Sequence, residues 1–69
     1  MYGKELKSHR ENNNLSQGQL AQLTGIKQQN ISRWESNQAI PSIINIVILA
    51  DFYGITVDEL IGHEVKKNW

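Results

Sequence analysis

The chain has 69 residues, room for one domain that buries only about 60% of the surface its unfolded form exposes. Seven Lys and Arg balance seven Asp and Glu, and the absence of Cys excludes a disulfide framework and a thiolate metal site. No apolar run approaches the roughly 18 residues of a bilayer span, and Met1 to Leu6 lacks the apolar stretch of a secretory leader; a soluble, cytoplasmic chain without membrane contact is expected.

Strand signals are scarce and Pro41 is the only proline, so the elements are read from helix ends. The first helix, from about Tyr2 to Asn12, carries weak signals and ends in the turn-forming run Asn12-Asn13-Asn14. The second is well marked. Ser16 caps it, Gln19 closes a capping box, and Leu15 and Leu20 occupy the two places of a hydrophobic staple. Gly25 permits the sharp reversal that follows.

The third helix falls within Lys27 to Ser36, with Ile26 and Ile31 as its staple pair. At 100° per residue, Gln28, Ser32, Ser36, Gln29 and Arg33 lie within about 140° of one another, while Ile31 and Trp34 point the opposite way. One flank suits a core; the other presents amides, hydroxyls and a guanidinium, the groups that read base edges. Trp34 is accordingly expected in the core rather than as a stacking platform. From Ser16 to Ile40 the only charges are Lys27, Arg33 and Glu35. A nucleic acid held there would be gripped largely by neutral hydrogen bonds, with a shallow salt dependence.

Ser42, after Pro41, caps the fourth helix, which runs to about Tyr53 before Gly54. Ile43, Ile46, Val47 and Ala50 are expected to face the core. Ile44, Ile48 and Phe52 form a second apolar stripe, to be covered by the carboxyl-terminal tail or by another chain. The second helix's grammar recurs at the fifth, where Thr56 caps, Glu59 closes the box and Ile55 and Leu60 make the staple. No linker or internal repeat interrupts the chain, so residues 1–69 are expected to form one domain, with a core of about 3–62 and a tail of 63–69.

These elements and the residues Leu6-Lys7-Ser8-His9-Arg10, Leu15-Ser16-Gln17, Leu20-Ala21, Ile31-Ser32-Arg33-Trp34-Glu35, Pro41-Ser42 and Gly54-Ile55-Thr56-Val57-Asp58-Glu59-Leu60 make the chain resemble the Cro/CI, or Xre-like, family of bacterial and phage repressors. The resemblance covers about residues 3 to 62. It is strongest to lambdoid phage repressors where Gln28-Gln29 opens the third helix. It implies an all-α, five-helix fold of the lambda-repressor type whose helix-turn-helix lays the third helix in the major groove of double-stranded DNA. It also implies that Gln28 pairs with an adenine edge, that Gln17 binds backbone phosphate and braces Gln28, and that Arg10 and Glu35 form an internal ion pair.

Gln29, Ser32 and Arg33 share the face of Gln28, and an arginine most often reads guanine, so a half-site with adenine opposite Gln28 and guanine opposite Arg33 is expected. Lys27 departs from the Ser or Thr that caps this helix in relatives. A cation at a helix start costs roughly 0.3 to 1 kcal/mol unless a phosphate lies nearby, so Lys27 is read either as a phosphate-binding residue of the expected site or as a tolerated surface lysine. Asn37 replaces the Gly common in relatives. It suits a left-handed cap, which accounts for it without DNA, and it is the third phosphate-binding candidate of the reading, beside Gln17 and Lys27.

A transcriptional repressor on a two-fold related operator is the reading that follows, with homodimerisation through Ile44, Ile48, Phe52 and Trp69. An antitoxin-like module that seals the fourth-helix face against a protein partner is the alternative. His9 and His63 have no companion at ligand spacing, and no catalytic triad, phosphate-gripping loop or carboxylate pair is present. No metal, cofactor or enzymatic activity is expected.

Overall fold

The computed structural model describes residues 2–62, which form five helices: α1 Gly3–Asn12, α2 Gln17–Thr24, α3 Gln28–Glu35, α4 Ile43–Tyr53 and α5 Val57–Ile61. No strand occurs among them. Both capping boxes form. The Ser16 hydroxyl accepts from Gln19 N at 3.0 Å while the Gln19 carboxamide accepts from Ser16 N at 2.8 Å, and Thr56 and Glu59 repeat the exchange. Ser42 caps α4 by accepting from Asn45 N. Each box satisfies donors that a helix start leaves without an intrahelical partner.

α1 is capped from a distance. Its flanking residue Tyr2 supplies no side-chain bond, and Gly3 N donates instead to Oδ1 of Asn37, 34 residues along the chain, at 3.1 Å. Asn37 sits just past α3 with φ of 61°, the left-handed conformation that Asn tolerates better than most residues. Only Gly fits at position 3. A Cβ there would stand 2.6 Å from the Glu35 carbonyl oxygen and 2.7 Å from that of Trp34, so the start of α1 and the end of α3 touch backbone to backbone.

The core gathers Leu6 from α1, Leu20 from α2, Ile26 from the turn, Ile31 and Trp34 from α3, Ile46, Leu49 and Ala50 from α4, and Leu60 from α5. α3 packs between α1 and α2, and α5 bridges α1 and α4. Gly25, with φ of 77°, makes the reversal between α2 and α3, and Ala21 packs half-buried at that crossing.

α4 corrects one expectation. Its inward face is Ile46, Leu49, Ala50 and half-buried Tyr53; Ile43 and Val47 lie outside at 68% and 42% exposure. Seven of the first eight residues of the helix are apolar, so spacing alone does not select a face. Ile44, Ile48 and Phe52 are exposed as expected, and with Ile43 and Val47 they widen the outer stripe into most of the helix surface. Trp69, the tail contributor to that stripe, and His63 lie outside the described residues.

His9 joins α1 to α5 by donating from Nε2 to the Glu59 carbonyl at 3.0 Å, and its ring lies 5.9 Å from that of Tyr53. The hydroxyl of Tyr53 is buried without a partner among the described residues, and burial, reinforced by Glu35, pushes its pKa up to about 12. The neutral phenol is therefore the form that folding favours. Stability is intact below the ordinary tyrosine value near 10 and declines as pH rises from there toward about 12. Tyr53→Phe removes an unsatisfied hydroxyl, so it is expected to leave stability at pH 7 equal or higher and to flatten the alkaline decline. Urea unfolding at pH 7 and pH 11 checks both, and a clear loss at pH 7 would show that the hydroxyl has a partner.

Candidate nucleic-acid interface

α3 is anchored on one flank and open on the other. Ile31 is 2% and Trp34 6% exposed, whereas Gln28, Gln29, Ser32 and Arg33 all stand in solvent. Together with Gln17 and Gln38 these four line an open polar cleft of about 420 Å³. The amide groups and the guanidinium offer paired donors and acceptors in a plane, the geometry that matches adenine N6 and N7 or guanine O6 and N7. No acidic side chain lines the cleft.

Behind this face sits the ion pair. Arg10 donates from Nε and Nη2 to the two carboxylate oxygens of Glu35 at 2.8 and 2.9 Å, and from Nη1 to the Leu15 carbonyl at 2.8 Å. The side chains are 10% and 5% exposed. The hydrogen bond to Glu35 raises the proton affinity of Arg10 further, against a smaller opposing effect of burial. The pair ties α1 to α3 and, through Leu15, to the approach of α2.

The same carboxylate holds one residue of the cleft from behind. Gln17, the first residue of α2, donates from Nε2 to Glu35 Oε1 at 3.1 Å, so its carboxamide is held by the ion pair rather than by Gln28. Gln28 instead leans over Gly18, where an added Cβ would stand 3.4 Å from its Oε1. The cleft thus contains Gln17 and Gln28 side by side, with Gln17 held by the Glu35 carboxylate.

Lys27 occupies the residue before α3, makes no side-chain cap and is exposed, but it lies outside the cleft lining. Asn37 also lies outside it. Its bond to Gly3 and its left-handed backbone account for an Asn at that place without any ligand. Gln38 is a member of the cleft that sequence reasoning passed over. It follows α3 in a loop, its backbone N–H donating to the Arg33 carbonyl at 2.8 Å, and the available signal was one more exposed amide in the charge-poor stretch ending at Ile40. Among the described residues no cluster of His, Asp or Glu stands at metal-binding distance, and no helix is long and apolar enough to cross a membrane.

Residues 6–60 match the family model described as helix-turn-helix. The chain is 32% identical over 63 residues to the HTH-type transcriptional activator BcrR of Enterococcus faecalis, covering 91% of the chain and 31% of that protein. It is 35% identical over 57 residues to the cryptic phage CTXphi transcriptional repressor RstR of Vibrio cholerae, covering 83% of the chain and 51% of that protein. A transcriptional regulator from Listeria innocua superimposes with a TM-score of 0.81 at 23% identity, over all of the chain and 64% of the other, which establishes the shared fold. The chain spans about a third to two thirds of the length of these relatives.

Proposed function

Because this chain belongs to the helix-turn-helix family of Cro/CI type, we propose that it is a sequence-specific DNA-binding regulator of transcription that acts as a repressor, with α3 in the major groove. The observation that carries the reading is the open face of Gln28, Gln29, Ser32 and Arg33 set against the buried flank of Ile31 and Trp34. A rod held on one side and studded with planar hydrogen-bonding groups on the other has the shape and chemistry of base readout. Gln28 takes adenine and Arg33 guanine, Gln29 and Ser32 contact neighbouring bases, and Gln17 and Lys27 grip the backbone. Asn37 is assigned to the same grip only through its carboxamide nitrogen, since its oxygen serves Gly3.

One named relative is an activator and the other a repressor, and repression is taken from the resemblance to phage repressors. The names of both relatives describe control of transcription, which supports a binding protein rather than an enzyme.

The outer surface of α4 supports a homodimer. Ile44 is 70% exposed, and Ile43, Val47, Ile48 and Phe52 extend an apolar face that water solvates poorly. Two copies joined there present two reading helices to half-sites about 34 Å apart, one turn of the duplex. The same face supports the second reading, a module that docks a different protein in the manner of an antitoxin.

Selection of bound duplexes from a random pool tests the first reading. Enrichment of a two-fold related site with half-sites about 10 base pairs apart is the expected result, and absence of any enriched sequence contradicts it. Gel-filtration mass decides between the interfaces: a dimer of this chain alone supports the repressor, and a monomer that dimerises on no duplex favours the protein-docking module.

A further inference from the structure

We propose that Gln38 is a positioning residue for base readout: its carboxamide oxygen accepts from the Arg33 guanidinium and holds that group in the cleft for a guanine edge. The proposal rests on the DNA-binding reading and gives a role to the one residue of the cleft which that reading leaves without one.

Its basis is the way α3 ends. Gln38 N–H donates to the Arg33 carbonyl at 2.8 Å and Asn37 N–H to the Trp34 carbonyl at 3.1 Å, around an Asn37 in the left-handed conformation with φ of 61°. This nested pair of bonds turns the chain back over the last turn of the helix. In such a closure the residue after the left-handed one comes to lie against the residue whose carbonyl it takes, and an apolar pair commonly fills the two places. Here they hold Gln38 and Arg33. An amide is thus set against a guanidinium, both exposed and both lining the same cleft. The loop that carries Gln38 is fixed on either side, since Asn37 accepts from Gly3 N and half-buried Ala39 packs against the core.

The chemistry fits without competing with DNA. A guanidinium has five N–H donors in one plane and a guanine edge takes two of them, so donors remain for a carboxamide oxygen. Arg33 makes no ion pair among the described residues, and no acidic side chain lines the cleft. Gln17 is held by Glu35, and Gln28 leans over Gly18. A long, free side chain loses rotamer freedom when it docks on a base, and a partner already in place reduces that cost.

Selection from the random duplex pool, run on variants of position 38, tests the proposal at the base pair whose choice Arg33→Ala relaxes. Gln38→Met keeps the length of the side chain and suits the apolar place of the closure, so its thermal melting should be unchanged. Its preference at that base pair should fall by roughly 3- to 10-fold, the worth of one hydrogen bond, with other positions unaltered. Gln38→Glu retains an acceptor and should retain the preference, while its added negative charge lowers affinity for all sequences alike. Within Arg33→Ala, Gln38→Met should change nothing further, because the group it holds is gone. An unchanged preference in Gln38→Met overturns the proposal. So does a uniform loss of affinity that persists in Arg33→Ala, which makes Gln38 a grip on the backbone, or an altered choice at a second base pair that persists there, which makes it a reader in its own right. An Arg33→Ala variant that relaxes no base pair overturns the reading role of Arg33, and the proposal with it.

Discussion

Glu35→Ala is expected to cost about 3–5 kcal/mol of folding stability, because it strands the Arg10 guanidinium at 8% exposure with only the Leu15 carbonyl as a partner. A loss below about 1 kcal/mol in urea unfolding would mean that the pair behaves as an exposed one and that water reaches Arg10 freely. The double replacement Arg10→Met with Glu35→Leu separates the cost of a stranded charge from the worth of the pair. It should recover most of the stability, since apolar residues of similar volume often replace a buried pair without loss. It should not recover full DNA affinity. Gln17 loses the carboxylate that fixes its amide at the cleft, so folding and binding part company in this variant.

Ile31→Ala is expected to cost about 2–5 kcal/mol, the range for emptying a well-packed core site. Ile31 is 2% exposed and belongs to the flank that fastens α3 to the protein body. Each kcal/mol lowers the melting temperature of a domain this size by roughly 4–8 °C, so the effect is large in a thermal scan. The exposed neighbour Ser32→Ala gives the contrast. It should melt close to the native chain, because exposed sites change stability by only about 0.5 kcal/mol. Equal melting of the Ile31 and Ser32 variants would contradict the two-sided character of α3.

The elements that were plain in the sequence are those whose ends are settled locally. Ser16 with Gln19 and Thr56 with Glu59 make bonds across three residues, so a short stretch of sequence contains both partners. α1 gave a weak signal for the opposite reason: its acceptor, Asn37, comes from beyond α3, and nothing near Tyr2 announces it. The closeness that Gly3 permits is likewise a fact of three dimensions.

α4 shows a second limit. Helical spacing chooses a face only where polar residues mark the other side, and Ile43 to Ala50 contains a single polar residue, Asn45. Contacts with α5 and α2 settle the rotation in favour of Leu49 over Ile43 and Val47. The exposed polar face of α3 was legible because Gln28, Gln29, Ser32 and Arg33 lie on one short helix whose period sorts them from Ile31 and Trp34. Its border was not. Gln38 enters from a loop, and the carboxylate that holds Gln17 is also paired with Arg10, a network that spans three helices.

Base preferences of the native chain, Gln28→Ala and Arg33→Ala, read from the same random duplex pool, test the central claim most directly. Each variant is expected to lose about 1–3 kcal/mol on the preferred site and to relax its choice at one base pair, an adenine for Gln28 and a guanine for Arg33, with the other positions unchanged. A uniform loss of affinity across all sequences, with every preference kept, would show that these side chains only grip the backbone and that α3 does not read.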